Sequence, residues 1–141
     1  MGLPVLFEDP EELGLRNFGR GLLFGLPFFS LGVCLMPDTV LVLNQLGVAL
    51  VEEVFFRGFL MARMGNVPTS MVFTGAHVVE GLTLNSLLVF FPSLVLGYVY
   101  LKTGSLLAPV LLHSAMNLLY LRLVEEFPEL YRLLKTELTW C

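Results

Sequence analysis

Two glutamates and an arginine stand inside a long apolar stretch of this chain, in Val51-Glu52-Glu53-Val54-Phe55-Phe56-Arg57. The stretch covers residues 40 to 61 and is long enough to cross a bilayer as a helix. Each charge near the bilayer centre costs roughly 2.5–3.5 kcal/mol on the insertion scale. Such groups must pair, face a wet cavity or do chemistry. Glu53 and Arg57 are four residues apart, so on a helix they share a face and can form an ion pair. Glu52 points about 100° away from Glu53 and is left without that partner. A spare carboxylate inside a membrane is a functional candidate. The competing reading is a structural polar knot between helices.

Two further polar intrusions bear on the choice. His77 closes Phe73-Thr74-Gly75-Ala76-His77, and His113 and Asn117 sit in Leu112-His113-Ser114-Ala115-Met116-Asn117. His113 and Asn117 are four apart and share a helix face. They and His77 are the parts of a hydrolytic site when set beside Glu52. A carboxylate can take a proton from water as general base. A histidine can orient that water or protonate the leaving amine. A histidine and an asparagine can donate hydrogen bonds to a developing oxyanion. Metal chemistry competes with this. Glu52, His77 and His113 could supply three zinc ligands and leave one position open. Asn117 is a poor zinc ligand, and the spacing of two histidines four apart with a glutamate between them is absent. The metal-free reading is favoured. A proton relay in a small transporter, built from the same residues, is a third reading.

The elements that must position these groups are helices. The pattern predicts a first apolar span from Phe18 to Met36, interrupted by Arg20 and Pro27, and a turn at Pro37-Asp38. Arg20 can snorkel to the headgroups. The span with the glutamates ends near Arg63, and Gly65 to Pro68 reads as a turn. A third helix is expected from Thr69 to Val79, too short to cross alone. A fourth span runs from Leu84 to Leu101 with Pro92 inside, and a fifth from Leu106 to Val124 with Pro109 in its first turn. Residues 125–141 read as an amphipathic tail, because Leu130, Leu133, Leu134 and Leu138 recur at helical spacing. A short helical turn is expected over Glu11 to Arg16. The expected architecture is all-α: a polytopic transmembrane bundle of about five membrane segments, one of them short. It forms a single integral membrane domain over 1–141, with its motif-bearing core at about residues 40–120.

Composition agrees. Hydrophobic residues make up 56%, charged residues 14%, and mean hydropathy is +0.81, whereas a soluble domain is about a quarter charged. A transmembrane barrel would need alternating segments of about ten residues, and these are absent. The net charge of −4 arises mainly at the two ends, and no basic cluster points to nucleic acid. Cys34 and Cys141 form neither a disulfide framework nor a metal-ligand spacing.

In these residues the chain resembles the CAAX-protease and bacteriocin-processing family, also called the Abi family, of intramembrane endopeptidases. The Glu-Glu-x-x-x-Arg motif is matched by Glu52, Glu53 and Arg57, with Gly58 following. Phe-x-x-x-His is matched by Phe73 and His77, and His-x-x-x-Asn by His113 and Asn117. The run from Gly97 to Leu106, with Ala108-Pro109, and the Glu12 to Arg16 run also look like that family. The family has been described both as metalloproteases and as glutamate-dependent proteases; with these residue types the resemblance favours a glutamate-dependent intramembrane protease with no cofactor over a zinc enzyme. Glu52 would be the base that activates water and His77 its partner. His113 and Asn117 would form the oxyanion hole, and Glu53 and Arg57 would support the site. It implies a membrane-anchored peptide or protein as substrate. Eukaryotic relatives cut after a prenylated cysteine, and other relatives process peptides or C-terminal sorting signals. It implies a multi-pass protein of a prokaryotic cell membrane. Members run to eight membrane helices, and a homo-oligomer is one way to complete this smaller bundle. Some members are linked to bacteriocin immunity, so the alternative is a non-catalytic membrane immunity or binding protein of the same fold.

Overall fold

The computed structural model describes residues 17–138. The helical turn expected over residues 11–16 lies outside the described residues, as does Cys141. Among the described residues six helices follow one another: α1 (Phe18–Leu35), α2 (Thr39–Met64), α3 (Asn66–Glu80), α4 (Leu84–Thr103), α5 (Leu107–Glu126) and α6 (Pro128–Lys135). Among the described residues there is no named strand, only an isolated antiparallel bridge between Thr83 and Glu137. Four helices, α1, α2, α4 and α5, are long and apolar enough to cross a membrane. The 15-residue α3 is about 22 Å long at 1.5 Å per residue. That is short of a hydrocarbon core of about 30 Å, so α3 is the expected short segment. The all-α polytopic bundle is what the apolar runs predict.

Local sequence explains most boundaries. The Asp38 carboxylate accepts a hydrogen bond from the Leu41 amide at 2.9 Å, capping α2. Thr83 and Ser86 form a reciprocal capping box at the start of α4. One boundary differs from expectation. Asn66 to Pro68 was expected as a turn, yet these residues form the first turn of α3. The first four amides of a helix have no intrahelical partner, so the missing N–H of Pro68 costs little there. Inside α4, the helix is interrupted at Val89, three residues before Pro92.

The centre of the bundle is α5. Half of its most apolar window is buried, against 17% for α1, 17% for α2 and 28% for α4. In lipid, small residues allow the close backbone approach that drives helix association, and α1 uses them against α5. A Cβ on Gly25 would stand 2.7 Å from Leu111 Cβ, and one on Gly32 would stand 3.1 Å from Ala115 Cα. On the opposite sides, α2 packs Ala49 and Leu46 against Leu106 and Val110, and α4 packs Leu96 and Val99 against Ala108, Leu112 and Met116. α3 lies against α4. The amphipathic α6 buries no residue; beyond it the Leu138 amide donates to the Leu82 carbonyl at 2.9 Å, tying the end of the described chain to the loop between α3 and α4. Large apolar side chains such as Leu23 and Val79 face outward, as a bilayer requires.

Candidate active site

The site grows from a change of winding in α2. Directly after Glu53 the helix passes from α to π geometry over Val54–Leu60. Single π turns inside α-helices recur at functional sites. Glu53 and Arg57 are nonetheless on one face, with Arg57 Nε 3.1 Å from Glu53 Oε2 and both side chains fully buried. The ion pair expected from the four-residue spacing is formed.

Arg57 is held from two more helices. Its Nη2 donates to the Ser93 carbonyl at 2.8 Å and to Ser93 Oγ at 2.9 Å. Ser93 Oγ donates in turn to Ser70 Oγ at 3.0 Å, and Ser70 lies 3.5 Å from Asn66 Oδ1. Asn66 Nδ2 donates to the Leu94 carbonyl at 3.0 Å. Its amide occupies the space above Gly97, where any Cβ would overlap it. The result is a ladder of buried polar groups from α2 through α4 to α3. Arg57 Nη1 has no hydrogen-bond partner among the described residues, and the Nε–Glu53 Oε2 contact is a charge pairing without hydrogen-bond geometry. The guanidinium carbon lies 5.3 Å from the centre of the Phe73 ring, within cation–π range.

The second carboxylate oxygen of Glu53 holds His113. Oε1 accepts from His113 Nδ1 at 2.8 Å. A carboxylate only accepts, so this contact places a proton on Nδ1 and turns Nε2 the other way. His113 Nε2 lies 3.6 Å from Glu52 Oε2. The buried imidazole therefore sits between two carboxylates that are neighbours in sequence. Glu52 retains 29% of its side-chain exposure, against none for Glu53.

His77 and Asn117 approach from the neighbouring helices. His77 Nδ1 lies 3.0 Å from the carbonyl of Phe73, one turn earlier on α3, so Nε2 is the ring nitrogen not engaged by that contact. Phe73 is the common neighbour of the site. Its ring centre lies 4.6 Å from that of His77, 6.0 Å from that of His113 and 4.8 Å from that of Phe56. Asn117 Nδ2 donates to Gln45 Oε1 at 3.0 Å. His77, His113, Asn117 and Gln45 line one cavity of about 360 Å³, whose apolar wall comes from α4 residues including Leu88, Pro92 and Leu96. Glu52 is outside that lining and reaches the site through His113. Three of the four residues expected to be catalytic thus share a cavity, and the fourth touches one of them. Glu52 meets His113 rather than His77.

A zinc site built from Glu52, His77 and His113 does not fit this arrangement. Among the described residues no three of His, Cys, Asp and Glu are placed together to hold a metal ion.

Residues 35–119, more than half of the chain, match the family of type II CAAX prenyl endopeptidases described as Rce1-like. The chain belongs to that family. The matched stretch includes α2, α3, α4 and α5 as far as Leu119, and with them every residue of the polar cluster. No curated protein and no solved structure matches the chain. With four helices of spanning length and membership of this family, the protein is an integral membrane protein with the fold of a CAAX-type intramembrane protease.

Sequence reasoning missed three partners within this Rce1-like core. Gln45 lies seven residues before Glu52, on the same face of α2, and that spacing was the signal available. Ser70 and Ser93 carried none, because small hydroxyl residues are ordinary in membrane helices.

Proposed function

We propose that the protein is an intramembrane endopeptidase that hydrolyses a peptide bond of a membrane-anchored peptide or protein. The observation that carries this reading is His113, clamped between Glu53 and Glu52 at a cavity that also presents His77 and Asn117. A purely structural knot would consume its polar groups internally. Here Glu53 and Arg57 pair with each other, His77 and Asn117 remain at an open cavity, and the partly exposed Glu52 stands next to that cavity on the far side of His113.

In this reading Glu52, the partly exposed carboxylate, takes a proton from water, with His77 orienting that water. The oxygen attacks the scissile carbonyl carbon, and the carbonyl oxygen becomes the oxyanion. Asn117 Nδ2–H and, when protonated, His113 Nε2–H donate to it. Collapse breaks the C–N bond as the proton held by Glu52 passes to the leaving amine. The products are one carboxylate and one amine. Each step uses only the chain's own groups and water. Glu53 and Arg57 hold His113 in place and touch no reacting atom. The match to type II CAAX prenyl endopeptidases makes a prenylated C-terminal Cys-aliphatic-aliphatic-X peptide the first substrate class to try. A C-terminal processing or sorting signal follows it. A second copy of the chain is the partner that would enlarge the bundle.

The test is cleavage of a quenched fluorescent peptide with a farnesylated C-terminal Cys-aliphatic-aliphatic-X sequence by the full chain in liposomes. Glu52→Gln should lose at least about 100-fold in rate, the lower end for general acid–base catalysis, while inserting normally. Full activity in Glu52→Gln would sink the reading. A protective effect in cells that survives Glu52→Gln would favour the non-catalytic binding protein instead.

A further inference from the structure

Gln45 belongs to none of the three motifs, yet it touches the site twice. Its side-chain oxygen accepts from Asn117 Nδ2 at 3.0 Å. Its main-chain carbonyl lies 3.4 Å from Ser114 Oγ, one turn of α5 earlier. It lines the same cavity as His77, His113 and Asn117. On α2 it stands one turn from the fully buried Ala49 and two turns from Glu52. The helix face that carries the carboxylates toward α5 therefore begins at Gln45.

We propose that Gln45 is a positioning residue for the oxyanion-binding amide of Asn117. The inference rests on the reading of Asn117 given above. An asparagine amide has a donor end and an acceptor end of nearly equal size and shape. Only the donor end stabilises an oxyanion; the acceptor end would repel it. Packing alone selects weakly between the two orientations. Gln45 adds a directional bond: with its Oε1 turned to Asn117, it accepts from Nδ2 and draws that donor end to its own side of the cavity. An amide nitrogen carries two hydrogens. Gln45 engages one, which fixes the amide plane and leaves the second for the oxyanion in the cavity that both side chains line. Ser114, whose hydroxyl bonds the Val110 carbonyl at 3.0 Å, lies beside the Gln45 main chain at 3.4 Å, so α2 and α5 are close together at this level. Gln45 thus aims the donor in advance, as oxyanion stabilisation requires.

The test measures kcat and KM of the full chain in liposomes with the farnesylated peptide above. It uses Gln45→Leu, Gln45→Met, Asn117→Ala and the double variant Gln45→Leu with Asn117→Ala. Removing an oxyanion donor outright costs roughly 100- to 1000-fold in kcat, so losing its orientation should cost on the order of 10- to 100-fold, with KM little changed. Residues acting as a unit are non-additive. Gln45→Leu should therefore cost nothing further in the Asn117→Ala background. Gln45→Met keeps length and volume without an amide and should behave as Gln45→Leu does, which covers a folding failure of the leucine variant. A full kcat in both Gln45 variants beside a disabled Asn117→Ala overturns this inference alone. An equal loss in both backgrounds assigns Gln45 a purely structural role and also overturns it. A full kcat in Asn117→Ala removes the oxyanion reading of Asn117 itself.

Discussion

Glu53 and His113, 60 residues apart in sequence, meet at 2.8 Å inside the bundle. The contact joins α2 to the central helix α5, and it decides which nitrogen of the imidazole faces Glu52. Glu53 serves two neighbours at once, since its other oxygen is 3.1 Å from Arg57 Nε. Removing its carboxylate should therefore affect the fold and the site together. Glu53→Ala leaves the Arg57 charge buried and unpaired, which costs roughly 3–5 kcal/mol. Glu53→Gln keeps an acceptor oxygen but loses the charge, and an amide that turns its NH2 to His113 Nδ1 favours the wrong tautomer. We expect Glu53→Gln to insert with a modestly lowered Tm and to lose at least about 100-fold in kcat. Wild-type kcat in Glu53→Gln would show that the tautomer of His113 does not matter.

Arg57 is tied to Glu53 on its own helix and to Ser93 on α4, so its chemistry should not be replaceable by lysine. The guanidinium reaches Glu53 through Nε and the Ser93 carbonyl and hydroxyl through Nη2. An ammonium is a point charge and cannot reproduce that planar fork. Arg57→Lys should lower Tm clearly, and Arg57→Ala should cost roughly 3–5 kcal/mol by leaving Glu53 buried alone. Ser93→Ala removes only one of the bonds to Arg57 and should cost less, about 1.5–3 kcal/mol for a hydrogen bond to a charged group. Thermal unfolding in detergent, followed by circular dichroism, gives the order. A lysine variant as stable as wild type would contradict the fork.

The contact between α1 and α5 depends on the missing side chain of Gly25, which faces Leu111. Gly25→Leu should force the two helices apart at a cost of about 1–3 kcal/mol or more, the range for overpacking. The control is Gly47, where a Cβ meets nothing within 4 Å. Gly47→Ala should be neutral or stabilising by up to roughly 0.5–1 kcal/mol from helix propensity. α1 contributes nothing to the cavity lining, so a Gly25→Leu protein that inserts should keep most of its kcat. Equal Tm changes for the two glycine variants would argue against this packing.

Metal removal separates the two mechanisms that the residue types allow. No three ligands are gathered among the described residues, so dialysis against a chelator should leave cleavage intact, and added zinc should not raise it. Activity lost to the chelator and restored by zinc would reinstate Glu52, His77 and His113 as a ligand set.

The amino-acid sequence by itself determined what depends on neighbours along one helix. The four long apolar runs, the short α3, the Glu53–Arg57 pair and the shared face of His113 and Asn117 all follow from helix periodicity, which is local. The capped start of α2 at Asp38 follows from side chains three residues apart. The motif residues could be named because charged and imidazole groups are conspicuous inside apolar runs. Which of them meet was a different question. That Glu52 lies beside His113, that Glu53 holds the same ring from its other side, that Gln45 takes the Asn117 amide, and that Ser93, bonded in turn to Ser70, anchors Arg57 were decided by the docking of α2, α3 and α4 around α5. So was the place of the π turn, since a widened helix is worth its cost only where a packed neighbour rewards it. These are contacts between residues 23 to 72 positions apart. They depend on the rotation and height of one helix against another, and a periodicity that repeats along a single helix carries no record of either.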